Sequence, residues 1–163
     1  MKNEKTILEI IRSDLEREGY EPELLQEDGT DSLAFVLPLL RDNGGKVMME
    51  LFFRPVTEKM SRLVFLTLLI HDHPEGMDEL AKALPQWNLE AEIGTYVMLR
   101  EGAQLYHKYD LLAAEDDPPL EIGLQTQRVL YTVSQELVEH LGVIRALATG
   151  RMTLEQAKKK GYC

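Results

Sequence analysis

The stretch Leu33-Ala34-Phe35-Val36-Leu37-Pro38-Leu39-Leu40, the cluster Asp42-Asn43-Gly44-Gly45 and the return Lys46-Val47-Met48-Met49-Glu50-Leu51-Phe52-Phe53-Arg54 decide the fold. Leu33, Phe35, Leu37 and Leu39 recur at every second position, as do Val47, Met49, Leu51 and Phe53. That period belongs to strands with one face turned to a core. Asp42-Asn43-Gly44-Gly45 between them offers the positive φ angles that a tight hairpin requires. Pro38 removes a backbone donor, which predicts an edge strand or a bulge at this point.

On the N-terminal side, Ile7, Leu8, Ile11 and Leu15 recur at helical spacing, with Glu9, Arg12, Asp14 and Glu16 between them. The pattern predicts an amphipathic helix over about 4–18, capped by Asn3 and stopped by Gly19. Glu21 to Gln26 reads as a short extended piece and Glu27-Asp28-Gly29-Thr30-Asp31 as a turn. On the C-terminal side, Pro55 to Ser61 reads as a polar connection, and the near-continuous apolar run Leu63 to His71 as a central strand. After Pro74-Glu75-Gly76, the residues Met77, Leu80, Ala81, Leu84 and Trp87 follow helical spacing, and Pro85 predicts that this helix ends or kinks just before it. A second hairpin is expected over Ile93 to Asp110, turning at Arg100-Glu101-Gly102. The longest helix follows Pro118-Pro119 and carries Ile122, Val129, Leu130, Val133, Leu137, Leu141, Ile144 and Leu147 on one stripe, with a possible kink at Gly142 and an end at Gly150. Thr153-Leu154-Glu155-Gln156 has the form of a capping box opening a small last helix.

The expectation is an α+β fold in two layers, an antiparallel sheet packed by helices in the order α-β-β-β-(β)-α-β-β-α-α. With 163 residues, 44% hydrophobic and 28% charged, the chain suits a single domain over 1–163, of which 151–163 is a short helix and tail. A net charge of −10 would repel a phosphate backbone, so nucleic acid is not an expected partner. The run Lys158-Lys159-Lys160 suits the negative end of a helix dipole. The first residues show no signal-peptide pattern and no apolar run approaches the roughly 20 residues of a membrane span, so the expected location is the cytoplasm. Cys163, the single cysteine, is the last residue and permits no internal disulfide.

The segment Leu84-Pro85-Gln86-Trp87-Asn88, followed by a hairpin and a long helix that closes on Leu147-Ala148-Thr149-Gly150, resembles the Leu-Asn-x-x-Asn helix end of the YbjN-like proteins, which share the fold of type III secretion chaperones. Pro85 stands where that family has its first asparagine, so Leu84 and Asn88 carry the match. The resemblance spans nearly the whole chain. It implies a secretion-chaperone-like fold, a regulatory or chaperone role, binding of a partner polypeptide, frequent dimerisation and no catalytic residues.

The residues themselves offer no catalytic set. Ser13, Ser32, Ser61 and Ser134 have no nucleophile-elbow context or sequence-adjacent histidine, and no pair stands out among 28 scattered carboxylates. Neither a phosphate-binding glycine loop nor a nucleotide fingerprint is present. No cofactor is expected. His71 and His73 lie two apart at a strand end, where Asp72 or Glu75 could add oxygen ligands, so an alternative reading is a sensor for a metal or small ligand. His107, on the second hairpin, and His140, on the long helix, are further candidates for that set, although nothing local in the sequence brings them together. The leading expectation is a non-enzymatic protein-binding module, a homodimer or a binder of another polypeptide. Met48 and Phe52 are apolar on the side opposite Met49 and Leu51, so an exposed patch formed by Phe35, Met48, Phe52, Tyr96, Met98 and Tyr106 is expected on a sheet face that helices leave free.

Overall fold

A computed structural model describes residues 3–39 and 45–162. Helix α1 (Glu4–Arg17) buries Ile7, Leu8, Ile11 and Leu15, the four residues of its apolar stripe. The Asn3 side chain makes no capping bond, contrary to expectation; its carbonyl accepts from the Ile7 N–H as the first helical bond. Gly19, at φ 87°, turns the chain out of the helix as expected.

Strands β1 (Glu23–Glu27) and β2 (Thr30–Pro38) pair antiparallel around Asp28-Gly29. Both turn residues have positive φ, 49° and 78°. This is the geometry of the two-residue hairpin turns whose twist matches that of paired strands. The cluster expected as a turn is therefore the turn of a tight hairpin, and the extended piece before it is a full strand.

β3 (Lys46–Thr57) pairs with β2, setting Leu33 opposite Leu51, Phe35 opposite Met49 and Leu37 opposite Val47. The opening hairpin thus has its expected partners, while Asp42, Asn43 and Gly44 lie outside the described residues. Pro38 sits not on an edge strand but at the end of an inner one. The Leu39 N–H donates to the Gly45 carbonyl at 2.8 Å, so by alternation the nitrogen of Pro38 points to the other side. There β1 has already ended, its last partner being Ala34, and no donor is needed.

The polar connection expected over Pro55 to Ser61 is also strand. β3 continues to Thr57, and β4 (Met60–Ile70) returns after Glu58-Lys59. Pro55 is tolerated because β2 reaches no further than Phe52 on that side and a register shift falls between Pro55 and Thr57. β4 lies inside the sheet, between β3 and β6, as its apolar run predicts.

A 3₁₀ turn (Pro74–Gly76) leads into α2 (Met77–Glu90), which passes through Pro85 instead of ending there. Pro85 is exposed, and on a helix's solvent side a carbonyl left without its N–H partner is hydrated. β5 (Thr95–Leu99) and β6 (Gln104–Ala114) form the second hairpin, with β6 docked on β4. α3 (Pro119–Ala148) runs unbroken through Gly142 and stops before Gly150. α4 (Leu154–Lys159) opens with the capping box: the Gln156 N–H donates to Thr153 Oγ1, and the Thr153 N–H to Gln156 Oε1.

The six strands form one antiparallel sheet in the order β1-β2-β3-β4-β6-β5. The core lies between this sheet and the helices, joining Leu33, Met49, Leu51, Leu63, Phe65 and Leu105 to Leu8, Trp87, Leu137 and Ile144. The fold is α+β in two layers. β5 is an edge strand, and Asn88 of α2 protects its outer side. The Asn88 amide donates to the Tyr96 carbonyl at 3.0 Å and its Oδ1 accepts from the Tyr96 N–H at 2.6 Å. One side chain thus stands in for a neighbouring strand.

Asn88→Ala removes both bonds and leaves the backbone of Tyr96 to solvent. A loss of about 1–2 kcal/mol in folding free energy is expected, read as a lower denaturant midpoint with unchanged slope.

Candidate functional site

Because side chains alternate across a strand, the register assigns each residue to a face. Leu33, Met49, Phe65 and His107 face the helices; their immediate neighbours face away. On the side away from the helices one register line is apolar from end to end. Val36 pairs with Met48, Met48 with Leu68, Leu68 with Tyr106, and Tyr106 with Val97. Val36, Met48 and Val97 are 43%, 48% and 37% exposed, and Leu68 and Tyr106 are half-buried.

The neighbouring lines of this face are mixed. Glu50, Leu66 and Lys108 form one; Ser32, Phe52, Val64 and Asp110 form the next. The Asp110 carboxylate accepts from Lys108 Nζ at 2.9 Å and Arg62 Nη1 at 3.4 Å, and the Arg54 guanidinium stands 5.3 Å from the centre of the Phe52 ring. An apolar row thus runs beside a group of charges in which Lys108 and Arg62 share the Asp110 carboxylate.

Met48, Phe52 and Tyr106 of the expected patch lie on this face. Phe35, Tyr96 and Met98 do not. Phe35 pairs with Met49 and is buried against the helices, with Tyr20 edge-on at 5.8 Å. Tyr96 pairs with His107 and Met98 with Leu105, so both side chains of β5 turn inward. Spacing within β5 shows its alternation but not which phase faces the core; the pairing with β6 decides that. Val36, Leu68 and Val97 complete the row, and their signal in the sequence is an apolar residue at the out-facing phase of its strand.

Tyr96 instead anchors a buried polar cluster beneath the helices. Its hydroxyl donates to Glu136 Oε1 at 3.1 Å and lies 3.1 Å from His140 Nδ1. The other carboxylate oxygen accepts from the Glu92 N–H at 3.3 Å. Burial, reinforced by the adjacent carboxylate of Glu136, pushes the Tyr96 phenol far above its ordinary range, so it remains a donor. The ring of His107 stands 5.2 Å from that of Tyr96 and its Nε2 donates to the Ile93 carbonyl at 2.8 Å. Burial lowers the pKa of His107. The cluster holds α3 against β5 and β6.

Two of the four serines, Ser61 and Ser134, are engaged in structure. Ser61 Oγ donates to the Glu4 carboxylate at 2.6 Å and Ser134 Oγ to the Tyr131 carbonyl at 2.7 Å. His71 and His73 follow the end of β4 and border a cavity of about 300 Å³ whose other walls include Gly142, Arg145, Ala146, Thr149 and Arg151 of α3 and the loop after it. His73 Nδ1 meets Glu75 at 3.0 Å and His71 Nδ1 stands 3.9 Å from Asp72. Among the described residues no group of three or more His, Cys, Asp or Glu side chains could hold a metal ion. The arginines in the same cavity also oppose a cation. His107 and His140 belong to the buried cluster instead.

Among the described residues no helix is long and apolar enough to cross a membrane. No protein-family model and no curated protein matches this chain.

The depressed pKa of His107 links stability to pH. The unfolded chain takes up a proton on this residue as the pH falls through about 6.5, while the folded protein resists until lower pH. Its contribution is therefore complete above about pH 6.5 and declines below it, by at most about 1.4 kcal/mol per pH unit. Thermal melts from pH 8 to 5 should show a falling midpoint, and His107→Gln should flatten that fall.

Proposed function

We propose that this chain is a non-enzymatic protein-binding module, and that the sheet face opposite the helices docks a polypeptide partner, a second copy of the chain included. The observation that carries the reading is the uninterrupted row Val36, Met48, Leu68, Tyr106 and Val97. Its members are exposed or half-buried on a face to which none of the helices contributes core. A methionine and a tyrosine at its centre add adaptable and amphipathic contact surface, which suits a binding site better than a solvated sheet. The engaged serines and the enclosed Tyr96 cluster agree with a role that involves no covalent chemistry. A cytoplasmic, chaperone-like or regulatory adaptor of the secretion-chaperone-like kind fits this reading.

Two measurements test it. Light scattering on the eluting protein over a hundredfold concentration range should show a dimer that dissociates in Met48→Glu/Val97→Glu, whose altered side chains are exposed and should leave the melting temperature within a few degrees. If the wild type remains a monomer, a photocrosslinker at position 48 should capture a polypeptide in the native cell extract while one at Glu155 of α4 does not. Loss of affinity in the double variant should be at least tenfold, about 1.4 kcal/mol. A monomer that crosslinks equally from both positions would defeat the reading.

A further inference from the structure

The cavity between the end of β4 and the last turns of α3 lies on the helix-bearing layer and is separate from the open sheet face. It collects His71, His73, Arg145 and Arg151 around an apolar floor of Leu69, Ile70 and Ala146. Four groups that are cationic or can become so are thereby brought together in a chain of net charge −10. The acids of the same loop are accounted for. Asp72 faces His71 Nδ1, with its own side chain 84% exposed, and Glu75 faces His73 Nδ1. Neither histidine Nε2 has a partner among the described residues.

The arginines are not explained as caps of α3. Three of the last four carbonyls of that helix accept from backbone groups, Arg145 O from the Thr149 N–H, Leu147 O from the Gly150 N–H and Ala146 O from the Met152 N–H. Arg145 spends one Nη2 bond on the Lys46 carbonyl at 3.0 Å, and Arg151 makes no hydrogen bond or ion pair among the described residues. The walls are fixed. A Cβ on Gly76 would come within 2.2 Å of the Ala148 carbonyl oxygen, so the turn after His73 is pressed directly on the end of α3.

Gly142 supplies the second observation. It lies in the interior of a 30-residue helix, where glycine is less favourable than alanine, yet a Cβ there would meet nothing within 4 Å. Packing does not require glycine at this position. The missing side chain instead widens the cavity that the two arginines and two histidines border.

We propose that this cavity binds a small doubly charged phosphoryl group, as inorganic phosphate or as the phosphate of a small monoester. Arg145 and Arg151 would supply the planar multiple donors that suit phosphate oxygens, and His71 and His73, whose Nδ1 atoms face carboxylates, would add single Nε2 donors in their imidazolium form. At about 300 Å³ the space suits a small molecule, and the acidic remainder of the protein disfavours a polyanion.

The test is amide NMR of the full chain titrated with inorganic phosphate, and separately with glycerol phosphate, at ionic strength held constant with sodium chloride. Saturable shifts confined to residues 69–76 and 142–151 are expected, with tighter binding of one titrant identifying free phosphate or monoester as the preferred form. Arg145→Gln/Arg151→Gln should weaken binding at least tenfold. Gly142→Ala should raise the melting temperature while weakening binding several-fold, a combination that loss of fold cannot produce. Shifts no larger than those caused by chloride, or binding that is unchanged in both variants, would overturn the proposal.

Discussion

The register joining β3, β4 and β6 governs the rest of the molecule. Leu51 pairs with Phe65, and Phe65 with Tyr109. Phe65 is fully buried, and its ring lies 5.8 Å from that of Tyr109. A slip of one residue in any of these pairings would turn Leu63, Phe65 and Thr67 outward and bring Arg62, Leu66 and Leu68 against the helices. Burying Arg62 without its Asp110 partner would cost several kcal/mol. The central register is therefore held from both sides, by large apolar residues on one face and paired charges on the other.

Both prolines that interrupt the strand pattern follow from that register. Pro38 and Pro55 occupy opposite ends of the β2–β3 pair, each at a point where one neighbouring strand has stopped. Backbone groups there have no ladder partner to lose, so a residue without an N–H is accommodated. The two outer edges are handled differently. β1 is short and carries Glu23 and Glu27, charges that discourage further pairing, whereas β5 has its outward groups at Tyr96 bonded by Asn88. The short motif Leu84 to Asn88 thus has a physical content independent of any family: its one asparagine caps the sheet edge at Tyr96.

Much of this was legible in the sequence. The stripe of α1, the alternation of β2 and β3, the apolar run of β4 and the long stripe of α3 each report a local period, and each lies where that period puts it. Pro55 to Ser61 was not legible, because a strand that passes through a proline depends on how far its neighbour extends. The candidate patch was half legible for a related reason. Met48 and Phe52 announce themselves beside a strong inward set in their own strand, but the sequence of β5 alternates Tyr96 and Met98 with Thr95 and Val97, and both phases are apolar enough to be core. The cavity of His71 and His73 gained Arg145 and Arg151 from the end of α3 and the loop after it, a separation in sequence across which no local pattern carries information.

Placing polar groups inside and apolar groups outside serves two different ends here. Beneath the helices, Tyr96, Glu136, His140 and the Glu92 backbone bond to one another, and any packing that left this buried network partly unsatisfied would be destabilised. It fixes how α3 lies on β5 and β6, and so which phase of β5 points out. Val97 reaches the open row because Tyr96 is held in the core. The outward row has no such mutual satisfaction; Val36, Met48 and Leu68 keep apolar surface in water at a cost of roughly 25 cal/mol per Å² relative to burial. Polar residues at these positions would relieve that cost without disturbing the core, since their side chains stand on the opposite face from it. The sheet is therefore used asymmetrically: one face is closed by the core, and the row Val36, Met48, Leu68, Tyr106 and Val97 is left on the other.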